Sequence, residues 1–182
     1  MSDFRLHPLL LYSQHDISPG HCSSILWDLR ETPKNARPVF NLEESLSSLD
    51  LDQRATSPLL PILHITCDIF PEKWPIEVTH DDGVTVGNVL EAIHHTLLRR
   101  ISHDEWNRLS QKQQDRIKIV FDDRCAMAEN REECRSNGVL RADCVLYHTW
   151  FAGLSVSPEL DNTCILSLRR PRELGPSSPV QL

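Results

Sequence analysis

The stretch "WPIEVTHDDGVTVGNVLEAIHHTLL", residues 74–98, decides the fold, because its apolar period changes partway along it. Trp74, Ile76 and Val78 alternate with Glu77 and Thr79, the period-two pattern of a half-buried strand. Asp82-Gly83 marks a turn. Thr85 then stands where a hydroxyl can accept from an orphan helix amide, and Val86, Val89, Leu90, Ile93 and Leu97 share one face at helical spacing. A strand that turns straight into an amphipathic helix packing on its sheet predicts an α+β domain.

Working outward, "LPILHITCDIF" reads as the preceding strand. After the first helix, at about 85–100, "SHDE" at 102–105 is a capping box, since the Ser102 hydroxyl and the Glu105 carboxylate can each satisfy an orphan amide. It opens a second principal helix at about 103–128, and Ser110 with Gln113 repeats the signature, so the helix has a second start there. "HPLLLYS", "SSILWDLR", "VLRADCVLYHTWFAGLSV" and "NTCILSLRR" read as further strands, the last two separated by the turn-forming "SPELDN". Residues 31–61 are rich in Ser, Pro and Asp, and only "NLEESLSSL" is periodic there, predicting a short helix with Leu42, Leu46 and Leu49 on one face and Asn41 as its cap. Such a segment either packs as an arm or is partly disordered. The expected whole is one α+β domain over 6–170, a mainly antiparallel sheet of short strands packed with two principal helices, followed by a frayed polar tail at 171–182.

A length of 182 residues with 40% hydrophobic content suits a single core. A net charge of −7 without a basic run argues against a nucleic-acid partner. No apolar stretch approaches membrane-spanning length, and Asp3 with Ser13 and Gln14 spoils the N-terminal run as a secretory signal, so no membrane association and a cytoplasmic location are expected. Cys22, Cys67, Cys125, Cys134, Cys144 and Cys164 then read as reduced thiols rather than a disulfide framework.

The ordered set "PLLLY", "WDLR", "RATSPLLPILHI", "WPIEV", "GVTVGNVLEAI", "EWNRL", "DRC", "GVLRADCV" and "FAGL", spanning roughly Leu6 to Leu168, resembles a family of small proteins abundant in mushroom-forming fungi and catalogued only as a domain of unknown function. The resemblance implies an α+β fold and a fungal context, and brings no catalytic residues. The "HHTLLRR" helix and the charged, insertion-like loop "ENREECRSN" depart from that pattern.

Adjacent histidines invite a metal reading of His94 and His95. A helix turns by about 100° per residue, so the two diverge, and His94 lacks the usual zinc partner four residues on. His95 aligns with Glu91 and Arg99 on a solvated face, and His94 sits at the edge of the apolar face. "HDISPGHC" offers His15, Asp16, His21 and Cys22 without zinc spacing, and "HDDG" at 80–83 is explained by the helix N-terminus that follows. No metal and no cofactor are expected. There is also no phosphate loop, nucleophile elbow or HExxH.

Arg124 is more informative, because it falls on the stripe made by Trp106, Leu109, Ile117, Val120 and Phe121. A guanidinium there needs a partner, and Asp143, among Ala142, Cys144 and Val145 in an expected strand, is the natural one. The pair either ties helix to sheet or lines a pocket in which Arg124 holds an anionic ligand. Trp74 and Trp150 are either core anchors or the mouth of that pocket, and Cys125 is either a small buried hydrophobe or an activated thiol. Two functions follow as expectations. One is a non-catalytic binding or regulatory domain that engages a protein partner through the 31–61 arm. The other is a small enzyme, or an accessory protein of fungal secondary metabolism, with a ligand site at Arg124, Asp143, Trp74 and Trp150.

Overall fold

The computed structural model of the chain describes residues 4–14, 23–71 and 74–171. In chain order the elements are β1 (Arg5–Leu6), β2 (Ile25–Leu26), β3 (Arg37–Pro38), α1 (Ser48–Leu51), β4 (Thr56–Ser57), β5 (Ile62–Thr66), β6 (Ile76–Thr79), α2 (Val86–Leu98), α3 (His103–Arg108), α4 (Gln111–Met127), α5 (Arg131–Asn137), α6 (Arg141–Cys144), β7 (Trp150–Val156) and β8 (Thr163–Arg169). The loop holding His15, Asp16, His21 and Cys22, and the tail from 172 onward, lie outside the described residues.

The change of period at 74–98 becomes strand β6, a turn and helix α2. Trp74, Ile76 and Val78 are buried while Glu77 and Thr79 face out. Thr85 caps α2 by accepting from the Asn88 amide, whose side chain accepts from the Thr85 amide in return. Val86, Val89, Leu90, Ile93 and Leu97 are all buried, and α2 packs against β6. Ser102 and Ser110 each start their own helix with the same reciprocal bonding, so the second expected helix is two, α3 and α4, joined at Leu109.

The main sheet runs β6-β5-β8-β7. Its pairs are antiparallel except for β5 with β8, which is parallel, so the sheet is mixed rather than wholly antiparallel. The free side of β7 is covered by two earlier segments. Tyr12 donates to the Leu154 carbonyl at 2.9 Å and Phe151 to that of Trp27 at 3.0 Å. Trp27, Phe151, Leu63, Ile65, Leu90 and Ile93 fill the single core between sheet and α2. The α+β, single-domain architecture is therefore as expected.

Several local expectations are overturned. "HPLLLYS" is not a continuous strand: Arg5–Leu6 before it pair with β4, after Pro8 the chain turns, Leu10 donating to the His7 carbonyl, and Leu11 makes an isolated bridge to Leu154 of β7. "NLEESLSSL" is mostly loop. Asn41 accepts from the Glu43 amide, the Arg37 guanidinium binds the Leu42 carbonyl, and Ser47 with Asp50 starts α1 only at Ser48. Asp143 lies in one-turn α6 rather than in a strand, since Leu146, at φ 55, ends the helical path and β7 begins only at Trp150. The "ENREECRSN" loop is helix α5, capped by Asn130. His94, expected at the edge of the apolar face, is buried, its Nδ1 lying 3.3 Å from the Leu29 carbonyl.

Candidate functional site

One turn of helix organises the charged groups. Arg141 and Asp143, two residues apart on α6, reach to different helices. Asp143 accepts from Arg124 of α4 through both oxygens, Nε to Oδ1 at 2.7 Å and Nη2 to Oδ2 at 2.8 Å, and its Oδ2 also accepts from the Leu140 amide at 2.9 Å. The Asp143 side chain is 2% exposed and that of Arg124 is 25% exposed. The remaining edges of the guanidinium are used as well: Nη2 donates to the Gly138 carbonyl and Nη1 to the Cys134 Sγ, both at 3.0 Å. The bond to Asp143 holds Arg124 protonated even more firmly than usual.

Arg141 forms the second pair. Its Nη2 donates to Glu105 Oε1 of α3 at 2.9 Å, and its guanidinium lies 4.7 Å from the Trp74 ring centre. The Trp74 indole donates to the same Glu105 oxygen at 2.7 Å. Burial opposes the Glu105 charge. The Ser102 amide and hydroxyl together with Arg141 outweigh it and hold the carboxyl down at about 2. A carboxylate whose proton affinity falls on folding adds stability above its ordinary range near 4.5, and that stability is lost as pH falls toward 2. For this pair, which water still partly screens, the contribution at neutral pH is on the order of 2 kcal/mol. The stability gap between the native chain and Glu105→Gln should therefore narrow from about pH 5 down to pH 3 in urea unfolding. A gap that stays constant over that range would sink this reading.

Of the four candidate site residues, the structure brings Arg124 and Asp143 together. Trp74 belongs to the neighbouring Glu105–Arg141 cluster, packing on Phe70, and so is tied to the pair through α6. Trp150 has other neighbours: it bridges to Asp28 on the rim of β7, and Arg169 lies 5.3 Å from its ring centre. A groove of about 600 Å³ beside α3 is lined by Arg100, Ile101, Ser102, His103, Trp106 and Val139, none of them among the four. Glu105 was legible only as a cap, and Arg141 had no signal beyond its spacing from Asp143.

The thiols divide into two kinds. Burial pushes Cys67 up to about 11 and Cys144 and Cys164 up to about 12, which makes them inert packing groups. Burial raises the Cys125 thiol as well, but Cys125 and Cys134 face each other, Sγ to Sγ at 3.1 Å. Among the described residues no group of three or more His, Cys, Asp or Glu is placed to hold a metal ion. No described helix is long and apolar enough to cross a membrane.

The helices that build both ion pairs, α3, α4 and α6, lie in residues 25–162, the part of the chain matched by the model of a family of unknown function, DUF6699. The chain belongs to this family. The match is shorter than the Leu6–Leu168 span of the resemblance and leaves out β1, the first turn and β8. "ENREECRSN" and "HHTLLRR" fall inside it. No curated protein and no solved structure matches the chain.

Proposed function

We propose that the chain is a non-catalytic binding or regulatory domain of the fungal cytosol, docking a protein partner through the 31–61 arm. The observation that carries this reading is an anchored arm with apolar side chains on its outer side. Pro33, Ala36, Val39, Leu46 and Ala55 are buried beneath it, β3 pairs with β2, and the Leu46 amide donates to the Ala36 carbonyl. In the same arm Phe40 is 74% exposed and Leu49 is 78% exposed, with Leu42 also exposed. Fixing apolar side chains in water favours a surface that a partner covers, since the ordering cost is met before binding. Glu43, Glu44 and Asp52 flank them, which suits an apolar site rimmed by basic groups.

The other reading, a small enzyme or accessory protein of fungal metabolism with an anion held at Arg124, has less support. Each of the three nitrogens of that guanidinium already donates to a protein acceptor. A photoreactive phenylalanine analogue in place of Phe40, in cells of the native host, tests the first reading against the same analogue at Lys118 on α4. One defined adduct at Phe40, absent at Lys118 and lost on Leu49→Ser, is expected. Equal or no cross-linking at the two positions would overturn the arm as a docking surface.

A further inference from the structure

We propose that Cys125 and Cys134 form a hydroperoxide-reactive dithiol, a modification site at which oxidation closes a reversible disulfide between the end of α4 and α5. Three observations on different atoms converge here. The two sulfurs lie 3.1 Å apart, so a disulfide, with its bond of about 2.05 Å, needs roughly 1 Å of further approach. Cys134 is only partly buried, whereas Cys67, Cys125, Cys144 and Cys164 are buried, so a small oxidant meets Cys134 first among the described thiols. The Arg124 guanidinium donates to the Cys134 Sγ at 3.0 Å and so places a fixed positive charge beside the sulfur that would be oxidised.

The local architecture permits the approach. Cys125 is in the last turns of α4, and α5 starts after a link of three residues, 128–130. Apart from Cys134, every residue of α5 is exposed, and an Arg135–Asp122 ion pair at 3.1 Å on the surface helps to hold it to α4. A short exposed helix can shift by the required distance without disturbing the core.

In the first step the Cys134 sulfur attacks the distal oxygen of hydrogen peroxide, the O–O bond breaks, and a sulfenic acid and one water form. In the second step Cys125 attacks the sulfenic sulfur, its proton leaves with the hydroxyl as a second water, and the S–S bond closes. Two thiols and one peroxide give one disulfide and two waters, and a dithiol reductant reverses the modification. Cys67, Cys144 and Cys164, buried and pushed up in proton affinity, serve as internal controls.

The test treats the full chain with stepwise hydrogen peroxide up to one equivalent, alkylates the remaining thiols under denaturing conditions, and maps the peptides by mass spectrometry. The expected first product is the peptide pair joined through Cys125 and Cys134, undone by dithiothreitol, while Cys67, Cys144 and Cys164 remain alkylated. In Cys125→Ser, dimedone should trap Cys134 sulfenic acid at a level about tenfold above the native chain, because the neighbouring thiol no longer intercepts it. Oxidation of Cys134 no faster than that of the three buried thiols would overturn the proposal. So would equal dimedone trapping in both chains.

Discussion

Replacing Arg124 with Met is expected to cost about 3 kcal/mol, which for a chain of this length lowers the melting temperature by about 6–12 °C. The cost arises mainly from what remains. Asp143 is 2% exposed, and without the guanidinium its two oxygens keep only the Leu140 amide as a partner. The Gly138 carbonyl and the Cys134 sulfur lose a donor in the same step. Asp143→Asn strands the other side of the pair, which is a quarter exposed and keeps its bonds to Gly138 and Cys134, so it should cost less, roughly 1–2 kcal/mol. Combining Arg124→Met with Asp143→Leu removes both charges and should recover much of the loss. About 1 kcal/mol should persist, because the Leu140 amide is then left without its acceptor. Thermal denaturation of the three variants measures the coupling. Strictly additive losses would falsify the pairing, and a folded Arg124→Met chain of native melting temperature would mean that the guanidinium serves something other than the fold.

The pairing itself was legible because burial of a charge leaves a mark on both partners. Arg124 interrupts an apolar stripe, and Asp143 interrupts an apolar run. The element carrying Asp143 was not legible, for a physical reason. A single turn such as Arg141–Cys144 is too short to show a period, and its flanking Val139, Leu140, Val145 and Leu146 read as strand by composition. The same limit hid the difference between a helix over "NLEESLSSL" and a loop tied down by Arg37, since that bond joins a side chain to a carbonyl five residues on. Where the pattern repeats cleanly, as in β6 and α2, the buried face was readable residue by residue, whereas Trp106 and Leu109 of the expected stripe fall in α3 and its cap rather than in α4. The Glu105–Arg141–Trp74 cluster joins residues 31 and 36 positions apart, and no local pattern encodes it. Nor could spacing show that Cys125 and Cys134 touch, because the contact depends on where α5 folds back on α4.

A second large effect is expected where no charge is involved. Gly153 sits at the register shift in β7 that follows Phe151, with φ at +117°, a conformation that costs an L residue roughly 1–3 kcal/mol. A methyl group there would also lie 2.6 Å from both the Tyr12 Cα and the Tyr12 nitrogen, and 2.9 Å from the Leu11 carbonyl carbon. These are backbone atoms, which cannot swing aside as a side chain can. They are held close because Tyr12 donates to the Leu154 carbonyl at 2.9 Å and Leu154 donates to that of Leu10 at 2.7 Å, clamping the N-terminal segment along β7. Gly153→Ala must therefore either distort β7 or lift residues 10–12 away, exposing Leu10, which is fully buried. Burial of a leucine is worth about 2 kcal/mol, so with the backbone strain the total should reach about 3–5 kcal/mol. Amide exchange locates the damage. In Gly153→Ala the Tyr12 and Leu154 amides should lose protection well before those of Leu63 and Ile65 in central β5. A variant that melts with the native chain, or that keeps the Tyr12 amide protected, would show that the two backbones do not meet as closely as the fold requires.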